Sequence, residues 1–278
     1  MNIDTVVDEI IEHVRDDRSL THDMPALLRV LANYPDLEPA AIAARAREIW
    51  KGAISAGDMD LAQGSALIAN IVYAAAGDEP NSIRAAYDFG QTRFMLANDV
   101  EAYASQRQQM ITLCGRASEL GMDDIAFNAA VSVSDCTFFA AECEPDPQRR
   151  DAMLYSVIGD VLSTCNVLRA RKDKPATSSL HFQRFVSLAT SAFSNIRQRL
   201  ESMPLPFFAG EQGGYDEELT TRMRALAAAL EEFVPDNFVC GENAEKAARV
   251  SQALADLSKD SGSEARARSR LRALLLNG

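Results

Sequence analysis

The chain has 278 residues, 47% of them hydrophobic and 24% charged, with 40 acidic against 28 basic residues and a net charge of −12. That size suits one large or two ordinary domains with a full core, and the proportions are those of a soluble globular protein. The acidity argues against a general nucleic-acid or anionic-membrane binder, though it leaves room for a local basic patch.

The N-terminal MNIDTVVDEIIEHVRDD has neither a positive leader nor a long apolar run, so no signal peptide is expected, and the protein is assigned to the cytoplasm. From there the pattern is helical almost throughout. Alanine, leucine, arginine, glutamate and glutamine dominate, and period-two alternation of β-branched residues is nearly absent. The spacing predicts helices over 4–15, 24–33, 39–55, 59–76, 82–97, 100–119, 123–142, 147–171, 178–202, 217–233, 243–258 and 263–276. Pro39 and the pair Asp146-Pro147 mark two helix starts, where a proline loses no hydrogen bond and a carboxylate can cap free amides. Asn81 and Asp216 are read as further start signals. The longest apolar run, Leu61 to Ala76, is interrupted by Gln63, Gly64, Ser65 and Asn70 and is too short to span a bilayer.

Amphipathic stripes recur in the second half. Leu154, Val157, Ile158, Val161, Leu162, Cys165 and Leu168 form one, and Phe182, Phe185, Val186, Ala189, Phe193, Ile196 and Leu200 another. Two further stripes run through Met223, Leu226, Ala227, Leu230 and Phe233 and through Ala247, Val250, Leu254 and Leu257. Short connections make sequential helices pack as antiparallel hairpins. The links 171–177 and 203–215 are longer, and the domain boundary is placed at the second, giving residues 1–202 and 203–278.

Asp58-Met59-Asp60 has the D-x-D spacing of some metal–nucleotide sites. Its surroundings, Ala56-Gly57-Asp58-Met59-Asp60-Leu61-Ala62, are echoed at Ala97-Asn98-Asp99-Val100-Glu101-Ala102 and at Leu120-Gly121-Met122-Asp123-Asp124-Ile125-Ala126. In each, Gly57, Asn98 or Gly121 is read as ending one helix in the left-handed conformation. The acidic residues that follow are read as caps of the next helix, with no metal between them. This small-Gly-Asp-x-x-x-Ala phrase resembles the central turn of tetratricopeptide (TPR) repeat proteins, over roughly residues 38–142. The resemblance implies an all-α fold of stacked helical hairpins, an irregular TPR-like α-solenoid, that acts in protein–protein interaction. The turns stand 41 residues (57 to 98) and 23 residues (98 to 121) apart, and the family's signature is not recoverable around Trp50, so no peptide-binding residues are carried over.

Catalytic constellations are not found. The three histidines, His13, His22 and His181, lack a partner nucleophile or a metal-ligand spacing. Gly210 to Gly214 follows no strand and carries no Lys-Ser/Thr, so it does not read as a phosphate loop. Asp16-Asp17 and Asp123-Asp124 do not extend to D-D-x-x-D. The five cysteines are scattered and read as small buried thiols. No catalytic residue, metal or cofactor is assigned.

Two segments could hold a partner. Met203-Pro204-Leu205-Pro206-Phe207-Phe208 keeps Phe207 and Phe208 in an extended loop, which either plugs the protein's own groove or forms an apolar knob for a partner. At the C-terminus, Arg266, Arg268, Arg270 and Arg272 alternate with small or apolar residues, and this helix either docks as the last layer or offers Arg266 and Arg270 to an acidic partner or to nucleic acid, for which it is the one candidate segment. The expectation is a non-enzymatic scaffold or adaptor with a protein or peptide partner, such as a bacterial helical-repeat binding protein. The alternative is an all-α enzyme or effector subunit whose carboxylate–arginine site is dispersed in the sequence.

Overall fold

The computed structural model describes residues 3–16, 38–176 and 179–189, together with the single positions 29, 32, 33, 192, 221, 222, 225, 226, 228, 232 and 233. Every regular element among them is an α-helix: α1 (Ile3–Asp16), α2 (Pro39–Ala56), α3 (Met59–Ala75), α4 (Glu79–Leu96), α5 (Val100–Glu119), α6 (Asp123–Cys143) and α7 (Pro147–Ala170), followed by helical residues 180–189. Contacts divide the chain into two compact units, 1–129 and 130–278, with the division falling inside α6. The boundary expected at 202/203, and the helices expected at 243–258 and 263–276, lie outside the described residues.

Aspartates set where the helices begin. The carboxylate of Asp58 accepts the amide of Leu61 at 3.0 Å, Asp99 that of Ala102 at 2.7 Å, and Asp146 those of Gln148 and Arg149 at 2.8 and 3.2 Å. Each satisfies amides that the first helical turn leaves unpaired, a contribution of about 1 kcal/mol per cap. Asp58 is therefore seen as a cap. At α4 the expected start is corrected. Asp78 is the cap and the helix opens at Glu79, with Pro80 accommodated in the first turn. Asn81 lies inside that turn, donating its backbone amide to one Asp78 oxygen (3.3 Å) and its side-chain amide to the other (2.8 Å).

Three helix ends share one device. Gly57, Gly77 and Gly121 have φ of 76°, 74° and 66°. In each case the glycine amide and the next amide reach back to carbonyls of the preceding helix: Gly57 to Ile54 and Asp58 to Ala53, Gly77 to Ala74 and Asp78 to Tyr73, Gly121 to Ser118 and Met122 to Ala117. This paired closure needs a left-handed residue, which would cost any side chain with a Cβ about 1–2 kcal/mol. Asn98 does not belong to the set. No described non-glycine residue has positive φ, and α4 ends with Ala97 extended. The tripeptide Ala-Gly-Asp at 76–78, identical to that at 56–58, is the third turn instead.

In unit 1, α3 packs against α2 and α4, α4 against α5, and α1 against both α2 and α3. Cross-helix pairs fix the directions. Arg47 meets Asp88 and Trp50 meets Thr92, so both numbers advance together and α2 runs parallel to α4. Ser82 meets Asn70, Glu79 meets Arg116, and Phe94 meets Tyr103, so α3 and α5 each run antiparallel to α4. The core joins Val6, Val7, Ile10 and Ile11 of α1 to Ile42, Ala43 and Ala46 of α2 and to Leu67, Ile68, Ile71 and Val72 of α3. Burying each large aliphatic side chain contributes about 1.5–3 kcal/mol. Helix α3 is buried from Gly64 to Ala69 without interruption, as expected of a helix apolar on every side. Between α4 and α5 the approach is close. A Cβ on Gly90 would lie 2.5 Å from Met110 Cε and 2.7 Å from Gln106 Nε2, so a larger residue there would make the ends of these two flexible side chains shift.

In unit 2, Thr164 donates to the Ala130 carbonyl and Thr137 to the Asp160 carboxylate, which sets α6 and α7 antiparallel. Of the expected stripes, Val157, Ile158, Val161, Cys165 and Leu168 are buried, as are Phe182, Phe185, Val186 and Ala189. Leu154 and Leu162 are half-buried. Leu226 is buried, and Phe233 lies beneath the Arg169 guanidinium at 5.7 Å. Phe193, Ile196 and Leu200 and the Ala247 stripe lie outside the described residues.

Candidate functional site

The partner-binding residues expected from sequence, Phe207, Phe208, Arg266 and Arg270, all lie outside the described residues, as does His22. Among the described residues, no helix is long and apolar enough to cross a membrane, and no group of three or more His, Cys, Asp or Glu stands together as a metal site. His181 sits at the start of the helical stretch 180–189, where burial pushes its pKa down. The cysteines differ from one another. Cys136 and Cys165 are buried, Cys114 is half-buried, and Cys143 is exposed, which corrects the reading of all as buried thiols. Burial pushes the Cys165 thiol up to about 12.

Charged chemistry collects at two places, one in each unit. In unit 1 the seam between the parallel helices α2 and α4 is polar. Arg47 Nε donates to Asp88 Oδ2 at 2.5 Å, Trp50 Nε1 donates to Thr92 Oγ1 at 2.9 Å, and Thr92 passes its own hydrogen to the Asp88 carbonyl at 3.1 Å. The helical repeat brings this about, since Arg47 and Trp50 are three apart on α2, while Asp88 and Thr92 are four apart on α4. The side chain of Asp88 is 7% exposed and that of Arg47 is 27% exposed, so the carboxylate lies beneath and the guanidinium reaches the surface. Lys51, one turn beyond Arg47 and exposed, also acts electrostatically on Asp88.

Burial raises the Asp88 pKa above 3.8, against the opposing pull of Arg47 and then of Lys51. A carboxylate whose folded pKa is raised binds more protons folded than unfolded, so its contribution to stability falls as pH rises from about 4 through the raised value. Asp88→Asn is therefore expected to gain stability relative to the parent protein as pH increases across that window. Urea unfolding at successive pH values measures the difference, and a difference that grows in the other direction would contradict the assigned cause.

In unit 2 the middle of α6 carries a run of buried polar residues, Ser132, Ser134, Asp135 and Thr137. Asp135, 6% exposed in its side chain, forms an ion pair with Arg184 of the 180–189 helix, 24% exposed. Thr137 Oγ1 donates to Asp160 Oδ2 at 2.6 Å, and Thr164 Oγ1 is shared between the carbonyls of Asp160 (3.0 Å) and Ala130 (3.2 Å). Arg222 lies over the Tyr155 ring at 4.8 Å. These contacts tie three helical segments together through polar bonds where apolar packing would ordinarily serve.

Sequence reasoning missed both ion pairs. The signal for Asp135 was present, since AAVSVSDCTFFAA sets a charge inside a stretch of otherwise small or apolar residues. For Arg47 and Asp88, 41 residues apart, the sequence carries no comparable signal. Comparison with family models, with curated proteins and with solved structures found no match.

Proposed function

We propose that the protein is a non-enzymatic scaffold in which helical hairpins stack as an irregular, TPR-like array and hold a protein or peptide partner. The observation that carries this reading is the parallel pairing of α2 with α4 through Arg47–Asp88 and Trp50–Thr92, with α3 packed on both. Contact between the first helices of successive hairpins, with the intervening helix shared, is how repeat proteins propagate a stack. Such stacks present their first helices side by side as an extended surface, and that surface is where a partner would lie. The carboxylates bonded between helices support the same reading. Asp88 and Asp135 each face an arginine, and the Asp160 carboxylate accepts from Thr137. They serve as bolts between helices.

The test uses the full chain as bait at physiological salt, with a variant carrying Lys51→Glu on the α2–α4 surface and another carrying Arg149→Glu on α7. A stoichiometric partner retained by the parent and by one surface variant, and released by the other, supports a scaffold with a defined face. Failure to retain any macromolecule, together with turnover of a small molecule by the purified chain, would favour the enzyme reading.

A further inference from the structure

We infer that Arg47 and Lys51, beside Trp50, form an oxyanion-recognising site for the side-chain carboxylates of a short acidic peptide segment. The inference rests on the scaffold reading above and names the chemistry of its partner. Its first ground is the arrangement of Arg47. The Nε is held by a buried carboxylate, and among the described residues the terminal nitrogens of the guanidinium make no hydrogen bond. A planar fork fixed at one edge and open at the other matches a carboxylate with two parallel hydrogen bonds, and little side-chain freedom is lost on binding.

The second ground is charge. Arg45 is paired with Glu48 at 3.1 Å and Arg47 with Asp88 of α4, which leaves Lys51 as the exposed cation of this face with no ion pair among the described residues. The local balance of Arg45, Arg47 and Lys51 against Glu48 and Asp88 is a single positive charge, on a chain of net charge −12. Lys51 follows Arg47 by one helical turn, which places the two Cβ atoms about 6 Å apart on one face. The half-buried indole of Trp50 supplies an adjacent apolar surface. The acidity of the whole chain disfavours a long polyanion such as nucleic acid, whereas a segment with a few carboxylates meets only the local field.

Trp50 is the sole tryptophan, and its indole N–H bonds across the seam to Thr92, so its fluorescence reports on this site alone. The probe is hexaglutamate with both ends blocked, titrated into the full chain. Blocked hexaglutamine and inorganic phosphate serve as comparisons. Saturable change of Trp50 emission with hexaglutamate and none with hexaglutamine is expected, with affinity falling about tenfold in Lys51→Ala as one charge-assisted contact is lost. Arg47→Lys keeps a cation against Asp88 while removing the fork, so a folded Arg47→Lys protein is expected to bind more weakly than the parent. Three results would overturn the site: no response to hexaglutamate, an equal response to phosphate, or affinity unchanged in both variants. A partner captured equally by the parent and by Lys51→Ala would leave the scaffold standing and remove this site from it.

Discussion

Arg184→Met is expected to destabilise the protein by about 3 kcal/mol, and Asp135→Ala by distinctly less, although the two residues form one ion pair. The asymmetry follows from burial. Removing Arg184 strands a carboxylate whose side chain is 6% exposed, whereas removing Asp135 leaves a guanidinium that is 24% exposed and can turn to water. An unpaired buried charge carries its full desolvation cost, while a partly exposed one recovers much of its hydration. The double variant Asp135→Leu with Arg184→Met removes both charges and fills the space with apolar atoms. It is expected to lie within about 1 kcal/mol of the parent, since exchanging a buried pair for packed hydrophobic groups is often neutral or stabilising. Urea unfolding of the three variants decides the matter. Equal losses in the single variants, or a double variant as unstable as their sum, would show that the pair is not the buried, asymmetric contact described here.

What could be read in the sequence, and what could not, divides along the range of the interactions. Helix limits were legible because they are set locally. Asp58, Asp99 and Asp146 cap amides two or three residues away, and Gly57 and Gly121 close the helix they terminate. The three departures are local as well, the first being the start of α4, which Asp78 caps with Asn81 inside the first turn. Asn98 was grouped with the glycines by its tolerance of positive φ, but the chain leaves α4 through an extended Ala97 and needs no left-handed residue. Gly77 was passed over although Ala-Gly-Asp repeats the earlier turn letter for letter. Its presence also changes what the turn means. Gly57 joins α2 to α3 and Gly77 joins α3 to α4, so the same closure serves consecutive junctions. Recurrence of the word marks helix junctions in general and carries no repeat period.

The polar seams were illegible for a different reason. Nothing near Arg47 points to Asp88, because their meeting depends on α2 and α4 lying parallel with α3 beside them. Gln106 is a similar case. Its side chain is buried against the bare backbone of Gly90, and only the approach of α4 to α5 puts it there.

Ile68→Ala in α3 is expected to cost about 3–5 kcal/mol, toward the upper end for such a truncation, and Ile68→Val about 1 kcal/mol. Ile68 is fully buried, and its neighbours Leu67, Ala69, Ile71 and Val72 are buried with it. The cost of a cavity depends on how far the surroundings can collapse, and here α1, α2 and α4 all pack on α3 or on one another, which leaves no loose side to close in. The distribution of the damage matters as much as its size. Weakening α3 should loosen α2 and α4, which pack on it, before α7, which belongs to unit 2. Amide hydrogen exchange on Ile68→Ala measures this directly. Faster exchange in α2, α3 and α4, with α7 nearly unchanged, is the expected pattern. Exchange that quickens in α3 alone would mean that α3 is not the shared layer between hairpins, and the pairing of α2 with α4 would then no longer support a repeating scaffold.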